Sequence, residues 1–281
     1  MTLTSTTLAR PPISVPARGI QPGKYLAVLL TAFRQRLQER AMLVGRVAFY
    51  CIVLMIFSRL WQAVFGAEGA TVPDRVWADY VWYLAMTEWI MLSQPSLHLD
   101  IEADVRSGDV AYHMARPISY VGSKLAEGAG DLVLRLPVMG LCGLLFGRWF
   151  SGEWPGGEGL LLAVPVGLLA SVFLLLSYAA IGLCAFWLHD VMPAYFIWQK
   201  LAFLLGGLML PLSIYPEWLR TIALHTPFAA ALYGPGQLIM HGGGALALRL
   251  SCELLGWITL IGLVVFALES RGRRALTLHG G

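Results

Sequence analysis

The sequence predicts an all-α membrane protein with about six transmembrane helices, and its composition and hydropathy pattern carry that prediction. Apolar residues make up 57% of the 281-residue chain and charged residues 13%, against roughly 45–50% and 25% in soluble domains. Six apolar stretches have the length that a bilayer crossing requires or come close to it. The net charge of +3 is small and the basic residues cluster near the chain ends, which disfavours nucleic acid as a partner.

The first 41 residues divide into two predicted segments. Residues 1–21 are rich in Thr, Ser, Pro and Arg and lack an apolar core, so we expect a disordered cytoplasmic tail rather than a secretory signal. Residues 22–41 predict an amphipathic connecting helix in the headgroup plane. Its apolar face consists of Leu26, Leu29, Leu30, Phe33 and Leu37. Off that face lie Arg34, Arg36 and Arg40, which we expect to face anionic lipid. A soluble helix packed on a partner is the alternative.

The membrane domain is predicted to extend over residues 42–268. Its six predicted spans are residues 42–65, 76–92, 132–150, 159–188, 195–214 and 254–268. Lys and Arg residues precede the first span, lie between the second and third, and follow the sixth in the tail 269–281. If the spans alternate in direction, these residues share one side, and the positive-inside rule makes that side the cytoplasm. Both termini are therefore expected to be cytoplasmic.

The most conspicuous charged stretch of the membrane domain is the loop 97–124. Its apolar residues recur every four positions, which predicts a helix with one apolar stripe. The stripe consists of Leu97, Ile101 and Val105. Gly108 breaks the pattern, and a second short helix is expected to begin at Asp109 and to end before Pro117. A solvated loop with two short helices and no function of its own is the alternative.

This loop also resembles a known family. The runs Arg106-Ser107-Gly108-Asp109-Val110 and Met114-Ala115-Arg116-Pro117-Ile118-Ser119 resemble the signature of permease subunits in the ABC type 2 exporter family. The resemblance implies that the loop is a cytoplasmic coupling helix docked on a separate ATPase subunit. The residues assigned to coupling on this basis are Glu102, Arg106, Gly108, Asp109, Tyr112, Arg116 and Pro117, with Gly108 as the hinge.

The resemblance further implies an assembly in a bacterial inner membrane. One permease would pair with a second, identical or homologous permease and with two copies of an ATP-binding cassette ATPase, which would hold ATP and Mg²⁺. Membrane lipid would surround the spans. The sequence leaves the exported substrate open among a lipophilic drug, an amphipathic peptide and a lipid-like molecule.

The longest predicted external stretch is residues 215–247, which prolines divide into short helical pieces that we expect to re-enter the outer leaflet. The family resemblance assigns such pieces to a cap over the translocation pathway. Glu88 is a buried-span acid that could contact a cationic substrate or pair with Arg46 or Arg135. The candidate pathway or gate residues are Glu88, Gly206, Gly207, Pro211, Trp218, Pro227 and Phe228. The glycines and Pro211 would permit a kink or close helix packing, either at a gate or dimer interface or within the chain.

Motifs for enzyme chemistry are missing from the sequence. It has no phosphate-binding Gly-x-x-x-x-Gly-Lys-Ser/Thr loop, no His-Glu-x-x-His motif and no Gly-x-Ser-x-Gly elbow. The four cysteines have no paired spacing. We therefore predict no catalytic residue, no metal site and no cofactor in this chain, with ATP hydrolysis in a partner. The alternatives are a carrier driven by an ion gradient and a membrane scaffold that moves nothing.

Overall fold

The structure, a computed structural model, describes residues 22–67, 74–114, 118–188 and 190–279. In these ranges the chain forms eleven α-helices and no strand. The helices are α1 (Pro22–Gln38), α2 (Arg40–Ala67), α3 (Asp74–Leu92), α4 (Leu97–Ser107), α5 (Asp109–Met114), α6 (Tyr120–Ser151), α7 (Gly157–Leu183), α8 (Met192–Leu205), α9 (Glu217–Leu224), α10 (Gly234–His241) and α11 (Gly244–His279). The predicted N-terminal tail, residues 1–21, lies outside the described residues.

Four of the described helices are long and apolar enough to cross a membrane. They are α2, α6, α7 and α11, and α7 continues through a 3₁₀ turn to Phe186. This confirms an all-α membrane protein with at least these candidate spans. Helix α6 begins twelve residues before the predicted third span and α11 begins ten residues before the predicted sixth. Early in α6, Lys124 and Asp131 are buried against other helices, whereas Arg249 near the start of α11 is exposed and pairs with Glu253 of the same helix.

The predicted fifth span, residues 195–214, is wrong as a continuous helix. Helix α8 ends at Leu205 after 14 residues, which is about 21 Å at 1.5 Å per residue. Gly207 has a left-handed φ of 63°, a conformation that favours glycine. The glycine pair therefore ends the helix instead of kinking it, and Pro211 precedes a short 3₁₀ turn.

The segment that follows α8 returns into the bundle. Residues 215–247 contain the short helices α9 and α10 and the first residues of α11, and their re-entry into the outer leaflet stays a prediction. Between them, a π-helical turn over Ala229–Tyr233 has all five residues buried, and α10 packs against α3 and α7. A Cβ at Gly236 would lie 2.4 Å from the Tyr83 ring, so only glycine allows this close approach.

Glycines on one face of α6 receive large aromatic side chains from α2 and α3. A Cβ at Gly143 would lie 2.4 Å from Tyr50 Oη, and one at Gly147 would lie 2.5 Å from the Trp82 ring. Gly140, one turn earlier, similarly faces Trp89. Lipid tails are as apolar as the side chains of these helices, so membrane helices associate through close van der Waals packing, and small residues permit that close approach. This packing fixes α2, α3 and α6 as one layer of the core.

The helices place two groups of side chains at opposite ends of the bundle. One end holds α4 and α5, which bend like an elbow at Gly108, together with the start of α6 and the C-terminal ends of α7 and α11. We call it the elbow end. Contacts of Arg46 with Leu92 and of Ser119 with Glu269 show that α2, α3, α6 and α11 all reach it. The other end holds α9, α10 and the junction of α6 with α7. The cation–π contact between Arg59 and Phe150 lies there.

Candidate functional site

Helices α4 and α5 form an elbow, residues 97–114, that turns at Gly108. Helix α4 ends there because Gly108 takes a left-handed conformation, φ 81°, and its N–H bonds to Val105 O. The Ser107 hydroxyl donates to Asp109 Oδ2 at 2.9 Å, at the first residue of α5. The predicted break at Gly108 and the helix start at Asp109 are both confirmed.

The tip of the elbow is open to a partner. Arg106, Gly108 and Asp109 are exposed, and the Tyr112 side chain is 68% exposed. Glu102 differs from them, because it is only 6% exposed. Its carboxylate lies 3.4 Å from Arg106, so it orients that arginine rather than reaching a partner itself. The other two predicted coupling residues, Arg116 and Pro117, lie outside the described residues.

The root of the elbow is packed firmly on α7 and α8. Leu97 and Ile101 are fully buried, and a Cβ at Gly182 of α7 would lie 2.9 Å from Ile101 Cβ. His98 stacks on Tyr195 of α8 with ring centroids 3.9 Å apart and meets Tyr178 edge-on. Burial lowers the pKa of His98 from 6.5 to about 4, so this histidine is neutral near pH 7.

Ion pairs tie the elbow sideways to α6. Lys124 Nζ lies 2.9 Å from Asp104 Oδ2 and 3.3 Å from Glu127. The Tyr120 hydroxyl donates to the same Asp104 oxygen at 2.9 Å. Because Asp104 is on α4 and its two partners are on α6, the two helices are held by charge as well as by packing.

Ser119 links the elbow end to both terminal helices. Its hydroxyl caps α6 by accepting from Gly122 N–H at 3.2 Å and donates to Glu269 of α11 at 2.9 Å. Its own N–H donates to the Tyr25 hydroxyl of α1 at 3.1 Å. Arg273 in turn bonds to Glu269. One residue thus fastens three helices at the point where the chain leaves the elbow.

A second polar network lies where α1, α2 and α6 meet. Asp131 accepts from Arg36 at 2.8 Å and lies 2.9 Å from Arg135. Arg135 also donates to Gln94 O at 3.1 Å, and Arg46 reaches that carbonyl at 3.4 Å. The expectation that Arg36 faces lipid is wrong, because this anion and Glu39 hold it. Burial lowers the pKa of Arg36, but its bonds to Glu39 and Asp131 outweigh burial and raise the pKa overall.

A polar cavity of about 290 Å³ lies between α1, α4 and α6. It separates the ion pairs of Lys124 from the network around Asp131. Asp100 lines it. Burial raises the pKa of Asp100, and Lys124 and Arg36 act in the opposite direction. The carboxylates in this cavity outnumber the cations, since Asp100, Asp104, Glu127 and Asp131 face Arg36 and Lys124.

Glu88 has neither of the ion-pair partners considered from the sequence. It is 2% exposed, and its Oε1 has no hydrogen-bond partner among the described residues. The predicted partners Arg46 and Arg135 instead bond to the Gln94 carbonyl and Asp131. Asp131 was missed from the sequence, although its spacing of four residues from Arg135 on one helix was a usable signal.

The remaining pathway candidates fall into two separate places. Trp218 is 66% exposed on α9. Phe228 is buried, and its ring centroid lies 4.8 Å from that of Trp198 on α8. A Cβ at Gly206 would lie 3.2 Å from Phe228 O. The end of α8 therefore contacts the chain at Phe228, which follows Pro227 just before the buried π-helical turn. Trp218 is not part of that contact.

Side chains of α3 hold the broken backbone after α8. The Tyr83 hydroxyl donates to Gly207 O, and Thr87 donates to Leu208 O at 2.7 Å. A carbonyl freed by a helix end costs free energy in an apolar interior unless it is bonded. Neither of these two bonds was predicted from the sequence, because the partners are more than 120 residues apart.

Comparison with protein-family models and with curated proteins finds no match. Among the described residues, no group of three or more His, Cys, Asp or Glu side chains is placed to hold a metal ion.

Proposed function

We propose that this chain is the membrane-spanning permease subunit of an ATP-binding cassette exporter. The observation that supports this best is the elbow, whose exposed tip and firmly packed root suit a lever. A push on Arg106, Asp109 or Tyr112 would pass through His98 and Ile101 to α7 and α8. The salt bridges from Asp104 would carry it to α6 as well.

In this proposal α3, and α8 together with the non-helical backbone that follows it, complete six crossings with α2, α6, α7 and α11. The elbow faces the cytoplasm, where a separate ATPase binds ATP and Mg²⁺. Both termini lie on the same side of a bacterial inner membrane. A second permease, identical or homologous, closes the pathway. ATP binding would draw two ATPase copies together and move the elbows, switching access to the pathway.

The test is co-purification of a tagged chain from its native membrane. We expect an ATPase to be retained by the wild-type protein and lost from the double variant Arg106→Glu, Asp109→Lys, which reverses two exposed charges. The matched control is Arg249→Glu, because the Arg249 side chain is comparably exposed, 67% against 57% for Arg106, but lies at the opposite end on α11. Retention of the ATPase by the elbow variant, or its absence from the wild type, would contradict the proposal.

The second candidate is a carrier driven by an ion gradient, and Glu88 is the observation that favours it. A buried acid without an ion-pair partner inside a bundle is a common element of proton or cation pathways. The discriminating measurement is uptake into vesicles. A carrier would run on an imposed proton gradient without nucleotide and would lose that activity in Glu88→Gln, whereas an exporter would require ATP.

A further inference from the structure

An apolar crevice lies between α6 and α7 and is backed by α3. Its volume is about 70 Å³, and its rear wall includes Trp82, Met86 and Trp89. These three side chains are only 3%, 4% and 7% exposed. A cavity needs about 10–15 Å³ of such volume to hold one water, so the crevice has room for roughly five groups of the size of a methylene. Apolar cavities of this kind stay dry and take apolar ligands.

The mouth of the crevice opens through residues that face a hydrocarbon environment. Leu144 of α6 and Leu160 of α7 line the mouth and are half-buried. Their chain neighbours Leu145 and Leu161 do not line it and are 58% and 74% exposed. Both helices are candidate membrane spans, so we expect lipid to cover these exposed leucines. A chain could enter the crevice from that lipid without crossing water.

The depth of the crevice matches the upper part of one lipid leaflet. Trp82 packs on Gly147, less than one turn before Trp149, which is 75% exposed, and Phe150. Exposed tryptophans near the end of a span mark the membrane interface. The crevice therefore lies near the depth of the glycerol ester groups, where a phospholipid acyl chain begins.

We propose that this crevice binds one acyl chain of a membrane phospholipid, with the first methylenes packed on Trp82, Met86 and Trp89. The bound chain fills the gap between α6 and α7, and its ester group stays outside the crevice. The site does not depend on any ATPase, so it stands or falls separately from the transport function.

The test uses the full chain in lipid nanodiscs that contain a phospholipid with a photoactivatable diazirine on its acyl chain. We expect adducts on the rear wall, at Trp82, Met86 or Trp89, which lipid at the outer surface cannot reach. Leu144→Trp should fill the mouth and reduce rear-wall labelling on the order of tenfold, the factor for displacing about two methylenes. Leu145→Trp is the matched control and should leave rear-wall labelling unchanged.

A second pair guards against misfolding of the first. Leu160→Trp should reduce the labelling as Leu144→Trp does, and Leu161→Trp should not. Labelling confined to the outer surface, equal labelling in each matched pair, or labelling by a free fatty acid probe but not by the phospholipid would overturn the proposal.

Discussion

The two ends of the bundle are held together by different interactions. At the elbow end, charged and polar side chains join α1, α2, α4, α6 and α11, most clearly through Asp131 and Ser119. At the opposite end, Trp82 and Tyr83 pack on the glycines of α6 and α10. Ion pairs hold helices in a fixed orientation, while packing on glycines fixes their distance. In the proposed exporter, the elbow end would therefore move as one body.

The largest expected effect is at Asp131. Asp131→Asn removes the anion between Arg36 and Arg135, and Arg135 is only 5% exposed. Breaking a buried pair leaves an uncompensated charge, so we expect a loss of about 3–5 kcal/mol in the free energy of unfolding. Denaturant titration of the purified protein in detergent measures it.

The control for that change is Glu127→Gln. The Glu127 side chain is 43% exposed, and its partner Lys124 keeps Asp104, so the expected loss is below about 1 kcal/mol. A loss at Asp131 no larger than this would show that the elbow end is not held by charge.

At the glycine-packed layer we expect a smaller effect and a change of sign between two glycines. Gly143→Ala would place a Cβ 2.4 Å from Tyr50 Oη, whose hydroxyl is buried and donates to Ala85 O. Such overpacking should cost about 1–3 kcal/mol. Gly256→Ala in α11 meets nothing within 4 Å and should stabilise by up to about 1 kcal/mol through helix propensity. The same titration compares them, and equal effects would remove the role assigned to close packing.

The third prediction concerns pH and the root of the elbow. The folded-state pKa of His98 is about 4, below its ordinary 6.5, so the folded state favours the neutral ring. The resulting stabilisation is complete above about pH 6.5 and is lost as the pH falls from 6.5 toward 4, with about 2 kcal/mol lost at pH 5. His98→Phe keeps an aromatic ring against Tyr195 and removes the titration. Stability curves from pH 7.5 to 5 should therefore diverge between the two proteins, and parallel curves would contradict the assignment.

Local patterns in the sequence predicted helices more reliably than contacts. The boundaries of α2 and α7, the turn at Gly108 and the start of α5 at Asp109 follow from hydropathy and from residues with strong local preferences. The end of α8 was missed because apolar residues continue past it, while Gly207 and the bonds from Tyr83 and Thr87 stop the helix.

Contacts between distant residues left weaker traces in the sequence. Glu88 could not be assigned, because nothing in the sequence says which way a buried acid points. The exposed tip at Arg106 and Asp109 was predictable from charge, but the burial of Glu102 depends on where α7 lies. The docking of this exposed tip on an ATPase stays a prediction.

The bonds at Ser119 impose an order on biosynthesis. Its partner Glu269 is made 150 residues later, which at synthesis rates of about 5–20 residues per second is a delay on the order of ten seconds. Until α11 is made, the nascent chain holds its elbow by contacts with α1, α6, α7 and α8. Completion of α11 is therefore the step that locks this end of the protein, and a ribosome stalled before it would leave an unfinished chain open to quality-control proteases.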